Sequence, residues 1–148
     1  MIAHRETRFV PYPAELMYQV VSDVEKYPQF LPWVVGLRVL SRGENCLTAE
    51  MAVGYGALRE RYTSQVLLDP QGRRVDVTQT SGPFKLLENH WRFTPQDDDG
   101  CEIEFAIQFE FKSRLLHNLA SAKFEKAMLK MTDAFEARAK TIKEGRAA

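Results

Sequence analysis

Residues 103–140 read IEFAIQFEFKSRLLHNLASAKFEKAMLKMTDAFEARAK, and a change of period inside them decides the fold. Ile103, Phe105, Ile107, Phe109 and Phe111 alternate with Glu104, Gln108 and Glu110, so an extended chain turns every large apolar side chain to one face. After Phe111 the period lengthens to 3.6. Leu116, Leu119, Ala120, Phe124, Ala127, Met128, Met131, Phe135 and Ala139 then fall on one helical stripe. No Gly or Pro interrupts Lys112–Glu144, and Ser113 is suited to cap the start. The pattern predicts one uninterrupted helix of about 27 residues, roughly 40 Å long at 1.5 Å per residue.

Working back toward the N-terminus, period two dominates. Leu87, Asn89, Trp91 and Phe93 alternate with Glu88, His90 and Arg92, and Arg74–Thr80 is extended up to the turn Ser81-Gly82-Pro83. Leu58, Glu60, Tyr62, Ser64, Val66 and Leu68 share one face of another strand, which Asp69-Pro70-Gln71-Gly72 closes. Leu47–Tyr55 alternates and meets Gly54 and Gly56, which mark a bend or bulge. Val35–Val39 is a strand stopped by Ser41–Asn45. Earlier still, Leu16, Met17, Val20, Val21 and Val24 form a short amphipathic helix with Pro13 at its first position, preceded by a strand over His4–Val10.

The expected architecture is α+β: about seven antiparallel strands, six of them in a meander, a short helix after the first strand, and one long C-terminal helix covering the apolar face. Seven twisted strands make a face wider than a helix of roughly 10–12 Å diameter. The sheet must therefore curve around the helix, and a cavity between the two is the expected remainder. A single domain spanning 1–148 follows from the length.

Composition narrows the function. Formal net charge is zero, so binding of nucleic acid by bulk charge is not suggested. Charge is nonetheless polarised: residues 112–148 hold nine Lys/Arg against four Asp/Glu. No apolar run approaches the roughly 18–20 residues that span a bilayer, and the charged stretch MIAHRETRFVPYP does not read as a signal peptide. A cytoplasmic location is expected, with peripheral contact at the inner membrane surface left open. Cys46 and Cys101 fit no metal spacing and read as free thiols.

No catalytic constellation is visible. His4, His90 and His117 are scattered, and no Ser or Cys sits in a nucleophile pattern. Gly54-Tyr55-Gly56 lacks the third glycine and following helix of a phosphate loop. Neither a metal nor a cofactor is expected. Two polar residues fall among inward-facing apolar ones: Glu60 beside Tyr62, and Asn89 beside Trp91. Each is either a satisfied structural group or a contact for a ligand's polar end. Lys123, Lys126 and Lys130 share one helical face, which is either simply solvated or a dock for an anionic membrane or RNA phosphates.

Three motifs carry a family resemblance over nearly the whole chain: YPQFLPW at Tyr27–Trp33, GPFKLLENHWRF at Gly82–Phe93, and FEFKSRLLHNL at Phe109–Leu119. Together they resemble the coenzyme Q-binding START-like family, within the polyketide cyclase and lipid-transfer superfamily with the helix-grip fold. The resemblance implies a hydrophobic tunnel that holds ubiquinone or a similar lipid without chemistry on it. On that reading the cavity and its entrance involve Tyr27, Phe30, Leu31, Trp33, Tyr55, Tyr62, Asn89, Trp91, Phe93, Phe105, Phe109, Phe124 and Met128. For each aromatic, simple core packing is the competing reading. Tyr27, Phe30 and Trp33, in a proline-stiffened loop, are expected to guard an entrance or else to plug the core. The resemblance also implies two alternatives to a carrier: a regulator that binds the large ribosomal subunit, and a polyketide cyclase or dehydratase.

Overall fold

The computed structural model describes residues 1–55 and 58–147, the side chains of residues 55, 58, 146 and 147 excepted. In chain order the elements are β1 (Ile2–Val10), α1 (Ala14–Ser22), a 3-10 helix (Val24–Gln29), β2 (Val34–Gly43), β3 (Cys46–Tyr55), β4 (Leu58–Asp69), β5 (Arg74–Ser81), β6 (Phe84–Pro95), β7 (Cys101–Phe111), α2 (Arg114–Leu129) and α3 (Met131–Ala147). The strands form one antiparallel sheet in the order β1-β7-β6-β5-β4-β3-β2. Thus β2 to β7 are a meander, and β1 returns to pair with β7 from Ile2↔Phe109 to Val10↔Cys101. Breaks in register at Val34/Gly36, Val39/Ser41, Thr63/Ser64 and Phe84/Leu86 bend the strands. The sheet curves, and the helices lie in its concave side.

Alternation in β7 is realised in full: Cys101, Ile103, Phe105, Ile107, Phe109 and Phe111 are all buried. β2 is longer than the expected Val35–Val39. It runs to Gly43 because a two-residue turn joins it to β3, with Asn45 at φ 57°, a conformation asparagine tolerates. Gly82 sits at φ 152°, and a Cβ there would lie 2.5 Å from the Tyr62 Cβ. Only glycine fits that turn against β4.

The C-terminal helix departs from expectation. It consists of two segments, α2 and α3, with Lys130 between them at φ −88°, ψ −6°. Lys130 N–H donates back to Ala127 O at 3.1 Å, a tightened turn. No glycine or proline causes the break; tertiary contacts at the start of α3 accompany it. The fully buried Thr132 hydroxyl donates to Glu6 Oε2 at 3.0 Å. The Arg8 guanidinium meets Glu6 at 2.7 Å, Asp133 at 2.7 Å and Glu136 at 3.1 Å. Partial burial opposes the Arg8 charge, but the hydrogen bonds to Asp133 and Glu136 and the charge of Glu6 outweigh it, and its pKa is raised. These bonds tie α3 to β1, and α3 also packs on α1. Meanwhile α2 lies over β7 and β3. The Ser113 hydroxyl caps α2, accepting from Leu116 N–H at 3.1 Å. Leu119 leaves the expected apolar stripe: it is 68% exposed, whereas Ala120 and Phe124 beside it are buried.

Candidate ligand-binding cavity

Between the concave sheet face and α2 lies a cavity of about 50 Å³, within a cleft whose interatomic space, mouth included, is about 720 Å³. Its walls come from every layer. The 3-10 helix and the segment after it supply Tyr27, Leu31 and Trp33; β3 and β4 supply Ala49, Met51, Tyr62 and Ser64; β5 and β6 supply Val77, Asn89 and Trp91; α2 supplies Phe124 and Met128. The space arises where inward-facing residues are small: Ala49 pairs with Ser64 across β3 and β4, and Val77 pairs with Asn89 across β5 and β6. Among the described residues, no charged side chain lines it.

Three polar groups interrupt the apolar wall. The Ser64 hydroxyl is buried and has no hydrogen-bond partner among the described residues. Its position is set by the break in β4–β5 register between Thr63 and Ser64, a type of irregularity that re-aims side chains. Asn89 accepts from Trp91 Nε1 at 3.0 Å through Oδ1, which leaves its amide nitrogen as the donor end. Among the described residues Tyr62 donates only to the Met51 sulfur, a weak acceptor, at 3.3 Å. Burial, helped by Tyr62 and Asp23, pushes the Tyr27 phenol far above the ordinary tyrosine range, and burial does the same to Tyr62. Both remain neutral donors at physiological pH.

Of the expected site residues, Tyr27, Leu31, Trp33, Tyr62, Asn89, Trp91, Phe124 and Met128 converge on this cavity. Phe93, Phe105, Phe109 and Phe30 do not. Phe93 is sealed between Tyr18 and Trp91, Phe105 is stacked on Trp91 with ring centres 4.1 Å apart, and Phe109 packs among Phe84, Phe111 and Phe124. All three face inward as the alternation predicts, but other rings cover them. Phe30 turns the other way, against Phe135 and under Arg138. Tyr55 lies outside the described side chains, as does the bend expected at Gly56.

The loop YPQFLPW proves to be structural wall rather than exposed rim. Tyr27, Leu31 and Trp33 are all buried, so Trp33 presents no ring to a lipid interface. Tyr27 also donates its hydroxyl to Val21 O, one of the carbonyls left unpaired at the end of α1. Glu60 is half-buried and away from the cavity. Ser64, Ala49, Met51 and Val77 were missed. Ser64 had a signal, since it alternates in phase with Tyr62 and Val66, but only the fold shows its hydroxyl unpaired.

Elsewhere, Cys101 is fully buried, Cys46 half-buried, and both are free. His90 sits on the outer face, 2.6 Å from Asp76. Among the described residues, no three His, Cys, Asp or Glu side chains are grouped to hold a metal ion, and no helix is long and apolar enough to cross a membrane. Lys123, Lys126 and Lys130 are exposed and make no ion pair among the described residues.

Comparison with known proteins places this geometry. Residues 10–136 match the family described as polyketide cyclase / dehydrase and lipid transport. The ribosome association toxin RatA of Escherichia coli is 36% identical over 95% of this chain and 88% of its own length. The mitochondrial coenzyme Q-binding protein COQ10 homolog B of Xenopus laevis is 35% identical over 95% of this chain, which spans 59% of that protein. The solution structure of the 18 kDa protein CC1736 from Caulobacter crescentus superposes with a TM-score of 0.78 at 38% identity, covering 97% of this chain and 99% of that one. With its meander, returning first strand and helix-covered cavity, the chain belongs to the polyketide cyclase / dehydrase and lipid transport family.

Proposed function

We propose that this protein binds a neutral, oxygen-bearing lipid, most simply ubiquinone, in the cavity under α2 and carries it without chemical change. The observation that carries the reading is the cavity's make-up among the described residues: apolar walls, no charged side chain, and a buried Ser64 hydroxyl without a partner. A carboxylate or phosphate head group would find no cation there, and an unpaired buried charge is costly. A carbonyl or hydroxyl oxygen can accept from Ser64, from the Asn89 amide or from Tyr62. The similarity to a protein named as coenzyme Q-binding supports the same class. Among the described residues nothing in the wall pairs an acid with a base, which argues for carriage over cyclase or dehydratase chemistry.

At about 50 Å³ the enclosed cavity is well below the roughly 300–1,000 Å³ of small-molecule pockets. Loading therefore displaces a wall. α2 is the wall that moves: it parts from α3 at Lys130, while Arg8 and Thr132 hold α3 to β1. Met51, Met128 and Met131 line the space, and unbranched thioethers repack readily around a guest. Both tryptophans of the chain, Trp33 and Trp91, also line it. Titration with a short-tailed ubiquinone should quench their fluorescence saturably. Quenching that is linear, and equal for free tryptophan, would sink the reading.

The 36% identity to a protein named ribosome association toxin favours one second reading, a regulator that associates with the ribosome. Co-sedimentation with isolated subunits tests it independently of any lipid.

A further inference from the structure

The outward face of α2 is not the polar surface expected of a helix that only covers a cavity. Leu115, Leu119, Lys123, Lys126 and Lys130 follow one another at steps of four, four, three and four residues, so they form one ridge. Leu115 and Leu119 are 69% and 68% exposed, and all three lysines are exposed. Ala120, Phe124, Ala127 and Met128 occupy the opposite, buried face. Lys112, Arg114 and Lys123 lie between Glu110 and Glu125 with no acidic residue among them. Neither Lys112, Arg114 nor any ridge lysine makes an ion pair among the described residues.

We infer that this ridge docks the protein on an anionic lipid bilayer. The leucines enter the boundary between head groups and acyl chains, and the unpaired cations meet lipid phosphates. Two leucines side by side on the ridge can bury their side chains at a lipid interface, and the run of unpaired positive charge beside them selects an anionic surface over a neutral one. The ridge lies on the back of the segment that closes the cavity, since Phe124 and Met128 line the cavity from the same helix. Docking thus places the movable wall against the lipid phase from which a guest would come. In purpose the inference rests on the carrier reading, but the docking is measured without any guest.

The test is flotation of the purified protein with vesicles of phosphatidylcholine alone or mixed with phosphatidylglycerol, across a salt series. Wild type is expected to float with the anionic vesicles at low salt and to be released as salt rises. Leu115→Gln with Leu119→Gln should lower partitioning by about tenfold or more. Lys123→Gln with Lys126→Gln should lower it by a similar factor and flatten the salt dependence. Both variants should keep the wild-type melting temperature and the quinone quenching curve. No flotation of wild type at low salt, or variants that float as well as wild type, overturns the inference. So does loss of ribosomal-subunit co-sedimentation in these variants when wild type ignores vesicles, because the ridge then faces the ribosome. A protein that fails to float but is quenched by quinone refutes the docking and leaves the carrier reading standing.

Discussion

Replacing Ser64 by alanine separates a ligand contact from a structural hydrogen bond by sign. In the protein as it stands, the Ser64 hydroxyl is buried, 6% exposed, and unpaired among the described residues. A buried hydroxyl without a partner costs about 1–3 kcal/mol of desolvation. Removing one oxygen from a site bordering a 50 Å³ cavity creates little new void. Ser64→Ala should therefore stabilise the unliganded protein by about 1 kcal/mol, or about 2–4 °C in Tm for a chain of this size. If the hydroxyl donates to a ligand oxygen, the same change weakens binding by about 0.5–1.5 kcal/mol, roughly twofold to tenfold in Kd. Urea unfolding reads the first effect, and quenching of Trp33 and Trp91 by a short-tailed quinone reads the second. Opposite signs support the account, and they match the general tendency of binding sites to be less stable than they could be. A variant less stable than wild type, with an unchanged quenching curve, refutes the reasoning and makes Ser64 a structural residue.

Other perturbations follow from the same contacts. Tyr27→Phe leaves Val21 O without the donor that ends α1 and should lower stability by about 1–3 kcal/mol in urea. Arg8→Met removes the ion pairs between β1 and α3, and hydrogen exchange should rise across Met131–Ala147 before it rises in the sheet. Burial pushes the Cys101 thiol from 9.0 up to about 11. Its contribution to stability is therefore complete below pH 9 and lost as pH rises toward 11, on the order of 2 kcal/mol, so alkaline unfolding should shift upward in Cys101→Ala. In the native protein a thiol reagent should titrate Cys46 and spare Cys101.

Much of the fold was legible because burial on one face writes itself as a period. The alternation in Ile103–Phe111 and the stripe through Phe124, Met128 and Phe135 each report a local geometry, and short turns make neighbouring strands antiparallel. Pairing of β1 with β7 was not legible, since it joins residues about a hundred positions apart. Neither was the break at Lys130, because it accompanies Thr132 and Arg8 contacts that exist only after β1 is in place. The stripe misplaced Leu119 because periodicity fixes which way a side chain points but not whether anything lies there to meet it. The same limit governs the site. Phe93, Phe105 and Phe109 face inward as the sequence says, yet Tyr18, Trp91 and Phe84 cover them. Which inward residues border open space depends on where neighbours are small, at Ala49, Ser64 and Val77, and that is a property of the assembled layers.

The central claim is that the cavity exists to hold a neutral lipid. Organic extraction of the protein purified from its native host, followed by mass spectrometry, tests it most directly. The account predicts one neutral isoprenoid quinone at near-stoichiometric amount, reduced in a Ser64→Ala, Asn89→Leu double variant. A protein that emerges empty, or loaded with fatty acids or phospholipids in its place, would contradict it.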